Sequence, residues 1–250
     1  MMLSLLKAEL RRLMTRWPRW IILGLIFAAM LVSQLLQADA NGPGFKAILE
    51  FTAGPVFQLT PAILCLTEAY FVFEDDKKSG IFKSAIGLGI SRRDIVIQKV
   101  LTAGLLMLVD FAALAVLMLL VNLFVPMFAF EPLNLYITSV RLGCAWLQMM
   151  FFLCVAALAV YTLKNTSGGL IITFILMAGA ISELLKMLFR MDFLKGLNLM
   201  RWMPTTMFRQ LEASLNLGVF HPGIVLILAA VAAVIVWGAV AVFKKQELEF

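Results

Sequence analysis

Charged side chains are scarce in this sequence. They make up 14% of its 250 residues, against about 25% in soluble proteins. A soluble fold of this size has more surface than so few charges can cover. Histidine is nearly absent: His221 stands alone and cannot build a metal cluster by itself. The three cysteines, Cys65, Cys144 and Cys154, all fall inside apolar runs. Their odd number and the lack of C-x-x-C spacing argue against a disulfide framework or a zinc site. They read as small buried hydrophobes. The chain also lacks G-x-x-x-x-G-K-[ST], G-x-S-x-G and H-E-x-x-H. No local phosphate cradle, serine nucleophile or zinc-protease motif is therefore encoded. We expect no catalytic residue, no resident metal and no cofactor in this chain.

What is abundant is apolar. Hydrophobic residues make up 62% of the sequence, and the mean hydropathy is +0.97. A bilayer-spanning helix needs about 20 apolar residues, so the composition suffices for six or seven spans. The net charge of +6 does not point to nucleic acid. Most basic residues lie near the ends of apolar runs, where membrane orientation explains them.

In residues 1–19, Leu3, Leu6, Leu10, Leu13, Met14 and Trp17 recur at steps of three or four, with Lys7, Arg11 and Arg12 on other faces. This pattern predicts a basic amphipathic helix at the membrane surface, broken by Pro18. Charge-poor windows then predict six spans: 20–38, 53–73, 99–125, 141–163, 166–185 and 223–243. Ala38–Asp39–Ala40 resembles a signal-cleavage site, but the preceding apolar run is longer than a signal core. Lys164–Asn165 leaves only a short link between the fourth and fifth spans. With the N-terminus inside, 14 of the 21 basic residues fall on the cytoplasmic side, which predicts both termini inside. The segment 186–221 mixes apolar and basic residues. We expect it to form helices in, or dipping into, the outer interface.

Ionisable residues within spans are costly, about 2.5–3.5 kcal/mol each at mid-bilayer. Four stand out: Glu68, Asp110, Arg141 and Glu183. Arg141 and Glu183 lie near the outer end. Glu68 lies about one and a half turns from the cytoplasmic end of its window, and Asp110 near the midplane. For Asp110 two readings are open: a hydrogen bond to a neighbouring helix, or a place on a translocation path, with Glu68, or in proton transfer.

The link 74–98 is the most informative stretch. Phe82, Ala85 and Ile86 share one face of a short helix, and Gly87 and Gly89 end it. Ser91 is placed to cap the next helix, with Asp94 at the third position of a capping box. A short transverse helix flanked by charge is a natural docking lever. Here the sequence resembles the first cytoplasmic loop of type-2 ATP-binding-cassette (ABC) transporter permeases. The residues that carry the resemblance are Asp76, Gly80, Ile81, Lys83, Gly89, Ile90, Ser91, Arg92, Ile95 and Lys99. The amphipathic start, six spans and an outer apolar segment before the last span agree with that layout over the whole length.

The resemblance implies a single all-α permease domain over 1–250, multi-pass in a bacterial plasma (inner) membrane. The loop would be a coupling helix seated in a separate cytoplasmic ABC ATPase subunit, which binds ATP and Mg. The contact would use Gly80, Phe82, Lys83, Ala85, Ile86, Ile90, Ser91, Arg92 and Arg93. Segment 186–221 would form re-entrant helices, and a second permease half, identical or homologous, would complete an exporter. The cargo class would be a bacteriocin-type peptide, a hydrophobic drug or a lipid. Two other classes fit the composition: a non-transporting membrane sensor or anchor of the same fold, and an intramembrane enzyme. The enzyme requires Glu68, Asp110 and Glu183 to converge.

Overall fold

The computed structural model describes residues 2–41, 55–79, 86, 87, 89–124, 132–178 and 202–245. Among these the chain is helical, with no strand. Its helices are α1 (Met2–Met14), α2 (Trp17–Asn41), α3 (Pro55–Ser79), α4 (Arg92–Phe124), α5 (Pro132–Leu163), α6 (Thr166–Met177), α7 (Pro204–Asn216) and α8 (Pro222–Lys245). Among the described residues three stretches are long and apolar enough to cross a bilayer: Arg92–Leu117, Tyr136–Leu163 and Pro222–Lys245. The bent pair Leu6–Met14 and Trp17–Ser33 adds a fourth if it is one broken span. The expected third, fourth and sixth spans thus fall on long apolar helices. The expected second span, from Pro55 on, falls on α3, which carries Pro61 inside it and runs on through the charged residues 74–78. The expected fifth begins as α6, whose 12 residues end at Met177.

Helix α5 is the centre of the bundle and touches α3, α4, α6, α7 and α8. Its buried face, Leu153, Ala156 and Ala157, meets a core shared with Ala103, Leu106 and Met107 of α4 and Leu64, Cys65 and Val72 of α3. All three cysteines are free and buried, as their apolar setting predicts. The short link between α5 and α6 is also as predicted. Lys164 adopts φ 53°, and the Asn165 side chain accepts a hydrogen bond from the Gly168 N–H at 3.4 Å. A Cβ on Gly169 would stand 2.7 Å from the Val160 backbone nitrogen. Only glycine permits so close a crossing.

The helix break lies upstream of Pro18. Helix α1 ends at Met14, and Pro18 is the second residue of α2. The reason is that proline has no N–H and its ring clashes with the carbonyl four residues back, which is that of Met14. The freed Met14 carbonyl instead accepts from Trp20 Nε1 at 2.7 Å. Thr15 Oγ1 donates to the Arg11 and Arg12 carbonyls, at 3.2 and 2.9 Å. The two helices meet at 64°.

Helix α1 is amphipathic, as predicted, yet its stripe is not wholly inward. Leu13 is buried and Leu10 and Met14 partly so, while Trp17, beyond the break, is 74% exposed. Helices α1 and α2 both meet α4: Glu9 of α1 meets Gln98 and Lys99, and Arg19 of α2 meets Leu106 and Asp110. The rise from Lys99 to Asp110 is about 16 Å at 1.5 Å per residue. The N-terminal segment therefore descends along α4.

The described part of the expected outer segment includes α7. Pro204 opens it, and Met207, Phe208 and Leu211 are buried. Phe208 meets Phe151 of α5 edge-on, with ring centroids 6.1 Å apart. Residues 179–201, which hold Glu183 and most of the remaining outer segment, lie outside the described residues.

Candidate functional site: a capped lever and a buried charge triad

Two features gather functional side chains. The first is the described part of the link between α3 and α4. Gly80, Phe82, Lys83 and Ala85 lie outside the described residues; Ile86, Ile90, Ser91, Arg92 and Arg93 lie within them. The Gly89 N–H donates to the Ile86 carbonyl at 2.9 Å. Gly89 sits at φ +81°, a left-handed conformation that costs a side-chain-bearing residue about 1–2 kcal/mol. Ser91 then opens α4 as predicted: its Oγ accepts from the Asp94 N–H at 3.1 Å, the ordinary N-cap bond. Ile86 and Ile90 pack on the core.

Arg92 has a partner that sequence reasoning missed. Its Nη1 donates to the carbonyls of Phe243 and Lys244, at 3.1 and 2.8 Å. A cation is favoured there because the last carbonyls of a helix are unpaired and carry its negative end. The guanidinium also lies 5.9 Å from the Phe243 ring centroid. Phe243 in turn stacks on Tyr161, at 4.7 Å, and Tyr161 meets Phe73 edge-on at 5.9 Å. The link is thus tied to α8, and through an aromatic chain to α5 and α3. Arg93 is exposed. A basic residue opening one helix and a helix ending in Phe–Lys–Lys were both visible in sequence. Their proximity was not.

The second feature is a triad. Arg19 Nε donates to Glu68 Oε1 at 2.7 Å, and Arg19 Nη2 donates to Asp110 Oδ1. Nη2 also reaches the Leu106 carbonyl at 3.4 Å, and Nη1 the sulfur of Met14 at 2.8 Å. Arg19, Glu68 and Asp110 are 2%, 1% and 1% exposed. Arg19, which the positive-inside count assigns to the cytoplasmic side, is buried between two acids on α3 and α4. Helix α3 continues eleven residues beyond Glu68, to Ser79. Asp110 makes a hydrogen bond to a neighbouring helix, one of its two open readings. Glu68 and Asp110 do converge. A charge balance would have flagged this: two acids inside apolar runs require a cation, and Arg19 is the basic residue nearest an apolar run on the N-terminal side.

A second charged group lies nearer the helix ends. Glu9 accepts from Gln98 Nε2 at 2.9 Å and from Lys99 Nζ, and Arg12 lies 3.6 Å from it. At the opposite end Arg141 Nε lies 3.3 Å from Glu212 Oε1, and Tyr136 donates to the Leu215 carbonyl at 2.7 Å. Among the described residues no three His, Cys, Asp or Glu side chains are grouped so as to hold a metal ion.

No protein-family model matches the chain, and no curated protein is similar to it in sequence.

Proposed function

We propose that the chain is the membrane permease subunit of a two-component exporter of the type-2 ABC kind. In this reading it forms half of a translocation path and couples to a separate ATPase that binds ATP and Mg. The observation that carries the reading is the link between α3 and α4. A charged, glycine-punctuated segment with the residues Asp76 to Lys99 of that pattern enters a left-handed glycine and a serine cap. It is also bonded through Arg92 to the end of α8. A partner pressing on such a link would move α4 and α8 together.

The six-span topology belongs to this reading. The α1–α2 pair, α3, α4, α5, the segment opened by α6, and α8 would supply the spans. The end bearing Arg11, Arg12, Arg92, Lys244 and Lys245 would face the cytoplasm by the positive-inside rule. Helix α7 and its neighbours would face outside. A second permease half would cover apolar faces now exposed on α2 and α8, and the cargo would be an amphipathic peptide, a hydrophobic drug or a lipid.

The test is copurification with matched membrane-insertion controls. The intact protein should bring down an ATPase subunit. Phe82→Ala should reduce that yield about a hundredfold, the effect of losing an anchor worth roughly 2.7 kcal/mol. Arg93→Ala should weaken it less, and in a salt-dependent way. Recovery of no ATPase, or equal recovery with Phe82→Ala, would overturn the reading.

A further inference from the structure

We infer that Arg19, Glu68 and Asp110 form a proton-binding site, in which the two carboxyl groups share one proton and the triad as a whole is neutral. A guanidinium edge bearing Nε and Nη2 usually receives one carboxylate through both oxygens. Here two different carboxyl groups occupy that edge, one on each nitrogen. The guanidinium is small, so two carboxyl groups on one edge of it are close neighbours. At that range like charges disfavour joint ionisation.

The second observation is an orphan. Glu68 Oε2 is buried and has no hydrogen-bond partner among the described residues. An ionised carboxylate would place half its charge on that enclosed, unpaired oxygen. A neutral carboxylic acid would not, and its O–H can turn toward the Asp110 carboxylate. A proton on this pair would remove the charge from the enclosed Glu68 Oε2.

Among the described residues the surroundings supply no other compensating charge. On α1, Glu9 and Arg12 belong to the group around Gln98 and Lys99, about 16 Å along α4 from Asp110. On α3 the next acidic residue, Glu74, lies six positions nearer the helix end. On α5, Arg141 pairs with Glu212, and Tyr161 lies in the aromatic chain below α8. Helix α6 carries no titratable residue between Thr166 and Met177. Among the described residues Arg19 is the one cation bonded to either acid. The step is a simple addition: one proton from water joins the carboxylate pair, giving one carboxylic acid, one carboxylate and one guanidinium. Its loss would leave a net negative charge beside the 64° bend between α1 and α2.

The measurement is infrared difference spectroscopy of the full chain in phosphatidylcholine vesicles, reading the carbonyl stretch of protonated carboxyl groups near neutral pH. The wild type should show one enclosed protonated carboxyl. Glu68→Gln and Asp110→Asn should each abolish it, because the remaining acid then pairs one-to-one with Arg19 and ionises. Arg19→Gln should double it. Glu212→Gln, outside the triad, should leave it unchanged. No protonated-carboxyl signal in the wild type would overturn the inference, and so would a signal that survives both Glu68→Gln and Asp110→Asn. Should one of those variants fail to fold, the other and the Arg19→Gln doubling decide it.

Discussion

Arg19 and Arg141 are the same residue type, each near one end of an apolar helix and each paired with an acid on another helix. Arg19 is 2% exposed and bonded to two acids. Arg141 is 25% exposed, and its partner Glu212 36%. The contrast shows that a boundary arginine has two outcomes. Where the neighbouring helices carry acids at its own depth, it is captured. Where its partner is itself exposed, as Glu212 on α7 is, it stays partly exposed and keeps its hydration. The residue does not decide this; the burial of its counter-charge does.

The sharpest way to break the comparison is to strip the captured arginine of both partners. Glu68→Leu with Asp110→Leu leaves a buried guanidinium without counter-charge. Removing the partners of a buried ion costs about 3–5 kcal/mol. We expect little folded protein, measured as the midpoint of unfolding in mixed detergent micelles. A double variant as stable as the wild type would show that Arg19 escapes to the surface.

Lys99→Met probes the intermediate case. Glu9 would keep Gln98 and Arg12, so the loss should be about 1–3 kcal/mol, the cost of an under-satisfied buried polar group. The readout is the same midpoint, and a loss as large as that of the double variant would erase the gradient. Arg141→Gln should cost the least, under about 1 kcal/mol, and its effect should shrink in high salt. If the α7 contact instead came apart, protease cleavage between 204 and 216 would reveal it.

Much of the local structure could be read in the sequence, because local rules decide it. The Ser91 cap, the short turn at Lys164–Asn165 and the amphipathic α1 and α7 follow from spacing and turn chemistry. The displacement of the break from Pro18 to Thr15–Arg16 follows from the same chemistry applied four residues back. Periodicity could not reveal the triad, since residues 19, 68 and 110 share no periodic relation; only a charge balance between apolar runs pointed to it. Nor could periodicity reveal the bond from Arg92 to α8, which spans about 150 positions. Apolarity also misleads about burial: half of the span window of α4 is buried, but only 17% of that of α8. In lipid, an apolar surface gains little by turning inward, and polar and small residues mark the packed faces. Helix α4, with Gln98, Lys99, Thr102 and Asp110, follows that rule.

The bond from Arg92 to the Phe243 and Lys244 carbonyls gives the α3–α4 link a remote reporter. A spin label at Lys245, exposed at the end of α8, would register displacement of that link without occupying its surface. Paired with a second label at exposed Gly87, it would give a narrow distance distribution while the bond holds. Arg92→Ala would broaden that distribution, turning an inert helix end into a gauge of whether the two elements move as one.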